Sequence, residues 1–255
     1  MLKNRSNILF FILGAIFITN ALLAEFIGVK IFALEETIGL EDFTWSILGE
    51  TVSLDLTTGV LLWPVVFVLT DIINEYFGKR GVQFLSFTAV GLIIYAFLMI
   101  SLSIDLVPSG FWVGQAKENG VPDMQQAFGA VFGQSNWIIV GSLVAFLVGQ
   151  LLDVFVFQFI NRKTNQKMIW LRATGSTIVS QFVDSFIVLY IAFVIGPAKW
   201  SISLFLAVGL VNYMYKFSVA ILLTPLIYLA HNLIDRFLGQ EKAEELKLNA
   251  MQLKK

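Results

Sequence analysis

The chain has 255 residues, 57% hydrophobic and only 14% charged, with a mean hydropathy of +0.80. A water-soluble domain carries about 25% charged residues, so this composition predicts a chain solvated by lipid. A net charge of −1 with no basic segment argues against a nucleic-acid partner. The lack of cysteine excludes disulfides and thiolate chemistry, and one histidine, His231, gives no histidine-based metal site, so no cofactor is expected.

Six apolar runs approach the ~20 residues that cross a hydrocarbon core: 8–33, 57–78, 82–103, 135–160, 172–196 and 203–231. Glu25 and Lys30, rather than a small-residue cleavage site, stand in the last part of the first run, which is therefore expected to be retained. The loop at 34–56 holds six acids and no base. Pro64 in the second run predicts a kink, because proline removes a backbone donor. In the long connection 104–134, Pro122 and Asp123 predict the start of a short surface helix carrying Phe128 and Phe132. The tail, 236–255, is charged and helix-forming and is expected to be a solvated helix. The expected fold class is all-α: a polytopic membrane bundle of six transmembrane helices, with one membrane domain over 1–235 and the tail beyond it.

Lys and Arg set the orientation. Thirteen fall on one side: the N-terminus, the loops after the second and fourth runs, and the tail. Only Lys117 and Lys199 fall on the other. Cationic loops stay cytoplasmic, so both termini are expected in the cytoplasm. Residues 148–157 and 179–188 resemble each other and share Gln-x-x-Asp, but they join the fourth and fifth runs. Inverted three-helix halves would instead pair the first with the fourth and the second with the fifth.

An ionisable side chain at the centre of a membrane helix costs about 2.5–3.5 kcal/mol on insertion scales. Such groups must pair or face a wet cavity. Glu25, Asp71, Glu75, Asp153, Asp184 and Lys216 lie in the runs, accompanied by Asn20, Gln150, Gln158, Gln181 and Asn212. At ~1.5 Å per residue, Asp184 and Lys216 lie roughly 18–20 Å from the ends of their runs, near the midplane. Asp71 falls in the inner half. Glu75 and Asp153 come close to the cytoplasmic interface, where charge is cheap. Asp71 with Glu75, Gln181 with Asp184 and Asn212 with Lys216 are three or four apart, so each pair shares a helix face. The polar stripes are expected to turn toward a common cavity. The competing reading makes Asp184 and Lys216 a structural ion pair only. His231, at the end of its run, reads as interfacial.

The segment Trp63 to Arg80, WPVVFVLTDIINEYFGKR, resembles the signature of the queuosine precursor transporter family, grouped with vitamin-uptake transporters. The matching residues are Pro64, Phe67, Asp71, Asn74, Glu75, Tyr76, Phe77, Gly78 and Lys79. Residues 142–157, and 171–193 with Arg172, Ser176, Gln181 and Asp184, also match. The resemblance implies import of 7-cyano-7-deazaguanine or 7-aminomethyl-7-deazaguanine across a bacterial inner membrane. A carboxylate, Asp184 first and then Asp71, would accept from N1–H and the 2-amino group of such a base. Gln181, Asn212 or Lys216 would donate to the 6-oxygen. Glu75 or Asp153 would meet an aminomethyl cation, and Gln150 and Arg172 complete the expected set. Phe182, Phe186, Tyr190, Tyr213 and Tyr215 are expected as walls for the ring. The expected partners are this small molecule and the lipid bilayer; a homo-oligomer is compatible with the sequence and not specified by it. Alternatives are a vitamin- or purine-type carrier, or a substrate-binding subunit of an ATP-driven importer, since no Walker motif is present. A remote alternative is an intramembrane aspartyl protease built on Asp153 and Asp184. It lacks the usual Tyr-Asp and Gly-x-Gly-Asp motifs.

Overall fold

A computed structural model describes residues 4–41, 43–164 and 169–252. In chain order the elements are α1 (Arg5–Ile27), β1 (Ile31–Ala33), α2 (Leu34–Thr37), β2 (Trp45–Ile47), β3 (Glu50–Val52), β4 (Asp55–Thr57), α3 (Trp63–Asp105), α4 (Gly110–Val113), α5 (Met124–Phe132), α6 (Asn136–Lys163), α7 (Ile169–Leu189), α8 (Ile202–Leu238) and α9 (Gln240–Gln252). The architecture is a helical membrane bundle. Among the described residues five stretches are long and apolar enough to cross a bilayer: Arg5–Ile27, Thr58–Asp105, Met124–Lys163, Thr174–Ile195 and Ile202–Leu238. Large apolar side chains cover its outside, among them Phe11, Phe84, Phe155 and Leu222, as lipid contact requires.

Local chemistry accounts for the helix ends. The Asn4 carboxamide accepts from Ser6 N at 3.0 Å and starts α1. Asp123 accepts from the amides of Gln125 and Gln126 at 2.8 and 3.0 Å, so α5 begins where the sequence predicts. On α5 the rings of the predicted Phe128 and Phe132 lie 4.9 Å apart, tilted by 49°. Pro64 does not kink its helix. It lies in the first turn of α3, where no intrahelical donor is lost. The proline inside a helix is Pro225 of α8.

The run α3 contains a break instead. Gly78 has φ 68° and ψ −176°, a conformation that side chains rarely adopt. Beyond it, Gly81 lies against Ile73 and Phe77, so the second arm (79–105) folds back along the first (63–77). Helix α1 runs beside both arms: Phe10 meets Phe77 and Phe84, and Phe26 meets Phe97. The core between them holds Leu13, Phe17, Ile73, Tyr76, Leu85 and Ala89.

The acidic segment between α1 and α3 is structured. Strands β1 and β4 pair antiparallel, Ile31 opposite Thr57. Strands β2 and β3 form a hairpin whose two-residue turn, Leu48–Gly49, has φ of 55° and 81°, both positive as a type I′ turn needs. The hairpin docks on α8: Val52 packs on Ala207 and Val211, while Ser203 donates to Glu50 at 2.5 Å.

The opposite end gathers the basic residues. Arg5 donates to Phe237 O at 3.1 Å, and the Gly78 break, Arg162 and α9 meet there. Helix α9 is not merely solvated. Ala243 is buried and Ala250 sits directly under Gly78. Lys247 reaches both Asp235 oxygens at 3.0 Å and lies 4.9 Å from the centre of the Tyr76 ring. Tyr76 donates to Asp235 at 2.6 Å and its hydroxyl lies 3.0 Å from His231 Nδ1. His231 is therefore a buried residue of a helix that continues to Leu238, and does not stand at the helix end.

Candidate functional site

Helices α3, α6, α7 and α8 bring their polar stripes together, and α1 adds Glu25. The first arm of α3 contributes Thr70, Asp71, Asn74 and Glu75, all buried. Facing them, α6 presents Gln150 and Asp153, and α7 presents Ser176, Thr177, Ser180 and Gln181. Close approach makes this possible: a Cβ on Gly149 of α6 would stand 3.5 Å from Asp184 Cβ and 3.6 Å from Phe67. The two Gln-x-x-Asp segments thus lie antiparallel on adjacent helices, with Asp153 level with Ser180 and Gly149 level with Asp184.

At the heart of the cluster, Asp71 and Asp153 are 1% and 0% exposed. Ser176 donates to Asp71 Oδ1 and Thr177 to Oδ2, each at 3.2 Å. Ser180 donates to Asp153 Oδ1 at 3.0 Å. The two carboxyl groups interact directly with each other. Beside them Thr70 donates to Gln150 Oε1 at 2.7 Å. One turn away, Lys216 of α8 meets Asp184 Oδ2 at 2.5 Å, with side chains only 8% and 14% exposed. Toward the hairpin end, Glu25 of α1 is 6% exposed, accepts from Ser142 at 2.9 Å and interacts with Asp184. Toward the basic end, Gln158 donates to Asn74 at 3.2 Å, above a cavity of about 60 Å³ that Glu75, Asn161, Arg162 and Ala250 also line.

Several buried polar atoms here have no hydrogen-bond partner among the described residues: the acceptors Glu25 Oε1, Gln181 Oε1 and Asp153 Oδ2, and the donor Gln150 Nε2. An unsatisfied buried group costs about 1–3 kcal/mol. Such groups, gathered in one place, suit a polar ligand or water.

Of the residues expected from the sequence, Asp71, Glu75, Gln150, Asp153, Gln181, Asp184 and Lys216 lie in this column. Three expectations change. Asp153 does not escape to interfacial water; it is fully buried against Asp71. The carboxyl pair is therefore Asp71 with Asp153, not Asp153 with Asp184. Asn212 donates to Val208 O of its own helix at 3.1 Å. The expected aromatic walls also turn away: Phe182 and Tyr190 are 47% and 45% exposed, and Phe182 joins Phe186 and Tyr213 in an outward strip. The Arg172 side chain lies outside the described residues. Glu25, Thr70, Thr177 and Ser180 complete the site and were not expected there. Glu25 alone gave a signal, as a charge inside an apolar run.

A helical membrane bundle with charged and amide side chains sealed at its centre is the build of a small-molecule transporter. The profile described as "Putative vitamin uptake transporter" matches residues 57–230, more than half of the sequence, and the chain belongs to that family. It is 30% identical over 190 residues to a "Probable queuosine precursor transporter" of Bacillus subtilis (strain 168), covering 72% of this chain and 76% of that protein. A "Queuosine precursor transporter" of Escherichia coli (strain K12) is 28% identical over 200 residues, 77% of this chain and 80% of that protein. A "Probable queuosine precursor transporter" of Haemophilus influenzae is 28% identical over 167 residues, 66% of this chain and 64% of that protein. No solved structure matches.

Proposed function

We propose that the chain imports a queuosine precursor, 7-cyano-7-deazaguanine or 7-aminomethyl-7-deazaguanine, across a bacterial inner membrane. The relatives' names support the substrate class. The observation that carries the reading is the set of unpartnered buried atoms around the Asp184–Lys216 pair. Glu25 Oε1 and Gln181 Oε1 would accept from the N1–H and 2-amino donors of the base, and Gln150 Nε2 or Lys216 would donate to its 6-oxygen. In this reading α3 crosses twice, once on each side of Gly78. The count is then six, and the basic end, with both termini, faces the cytoplasm.

An intramembrane protease would need its carboxyl pair open to a peptide. Asp71 and Asp153, at 1% and 0% exposure, offer a peptide no approach. The test of transport is complementation. A bacterial strain that cannot make the precursor and lacks its own importer receives this gene, and queuosine is assayed in its tRNA at low external 7-cyano-7-deazaguanine. Restoration by the wild-type gene, lost with Asp184→Ala at equal membrane expression, is the expected result. No restoration with any deazapurine, despite normal insertion, would refute it.

A further inference from the structure

We infer that the Asp71–Asp153 pair is the proton-coupling site of the carrier, so that import is driven by an inward proton gradient. This rests on the transport reading above.

The geometry separates this pair from every other acid in the column. Asp184 has its counter-ion in Lys216 of α8. Glu25 of α1 has the Ser142 hydroxyl on one oxygen and, like Asp153, an unpartnered second oxygen, but no second carboxyl group stands against it to share a proton. Glu75, one turn below Asp71 on α3, lines the cavity that also reaches Arg162. Asp71 and Asp153 are in contact with each other, and the groups that face them from α7 are the hydroxyls of Ser176, Thr177 and Ser180. Among the described residues no cation touches either one. Two ionised carboxylates in contact inside a membrane repel strongly, and sharing one proton removes that repulsion. A second observation points the same way. Asp153 Oδ1 accepts from Ser180, while Asp153 Oδ2 is fully buried and, among the described residues, no N–H or hydroxyl donates to it. Both Asp71 oxygens already accept from hydroxyls. A proton carried on Asp71 and donated to Asp153 Oδ2 supplies the missing donor.

The column gives this proton a path. Glu25 and Asp184 lie on the hairpin side of the pair, and Glu75 lies on the basic side above the small cavity. With the site open outward, a proton from external water bonds to a carboxylate oxygen of the pair. With it open inward, that O–H bond breaks and the proton leaves past Glu75 to internal water. One proton enters and one leaves, and no electron pair changes owner. The pair then alternates between −1 and −2: the loaded carrier crosses at −1 and the empty carrier returns at −2, which leaves the proton inside. In this scheme Asp71 and Asp153 act on the proton, while Glu25, Gln150, Gln181, Asp184 and Lys216 face the base.

Two readouts test it. In the first, purified protein without substrate is examined by pH-difference infrared spectroscopy for the C=O stretch of a protonated carboxyl group. Asp71→Asn or Asp153→Asn should remove the band; Glu75→Gln and Asp184→Asn should leave it. In the second, proteoliposomes loaded with a pH-sensitive dye receive external 7-cyano-7-deazaguanine. The wild type should acidify the lumen and accumulate substrate at least tenfold under an acid-outside gradient, and a protonophore should abolish both. Asp153→Asn should show no substrate-evoked acidification. A band lost with Asp184→Asn or Glu75→Gln instead, or accumulation indifferent to the gradient, would overturn the proposal. A protein that shows the dyad band yet moves no deazapurine would refute the substrate reading and leave the proton site standing.

Discussion

Removing one member of the Asp184–Lys216 pair should unbalance the centre of the bundle. The contact is 2.5 Å between side chains 8% and 14% exposed, so little water screens it. Breaking a buried pair by deleting one partner costs about 3–5 kcal/mol, because the other charge is left uncompensated. Replacing both with uncharged groups of similar shape is often close to neutral. Lys216→Met and Asp184→Asn are therefore each expected to lower the apparent thermal midpoint. At about 2–4 °C per kcal/mol for a chain near this size, the drop is roughly 6–20 °C. The double variant should recover most of it. The assay is unfolding of detergent-purified protein, followed by tryptophan fluorescence, in a double-mutant cycle. Midpoints unchanged in both single variants, or a double variant no better than the worse single one, would refute a tight buried pair. Uptake should be lost in all three, since charge balance restores folding but not the groups that face the base.

Two further predictions concern the basic end. Gly78→Ala would place a Cβ 2.8 Å from Ala250 O at a φ of 68°, so it should cost about 1–3 kcal/mol and loosen α9, read as faster proteolysis after Lys242 and Lys247. Tyr76→Phe removes the hydroxyl that meets Asp235 at 2.6 Å and His231 at 3.0 Å. It should cost about 1–2 kcal/mol and raise hydrogen exchange in the last turns of α8, while exchange in α1 stays unchanged.

The helices were legible because lipid demands long apolar runs, and the loops because charges interrupt them. The start of α5 was legible in Asp123, whose carboxylate has only adjacent amides to satisfy. The break within 58–105 was visible in Gly78, Lys79 and Arg80. Pro64 misled, since a proline costs a helix only beyond its first turn. Most charged members of the site stood out, because a charge inside an apolar run is rare. Their partners did not. Ser176, Thr177 and Ser180 look like ordinary helix residues until α6 and α3 are placed against α7. Spacing along one helix tells which residues share a face; it does not tell that Asp71 and Asp153, on different helices, meet. The tail misled for a related reason. Its charges suggested solvent, but the alanines at 243 and 250 let its backbone press against α3.

The seat of Ala250 beneath Gly78 bears on how the molecule is made. The turn between the two arms of α3 forms early in synthesis, yet the helix that covers it is translated only after all the apolar helices. Insertion must therefore proceed with that turn bare, and docking of α9 is a separate, post-insertional step of maturation. A reporter domain fused behind α9 would sit beside the uncovered turn during that step. Such a fusion can report a normal quantity of inserted protein while slowing its completion, so amount and activity should be measured on chains carrying the reporter at different ends.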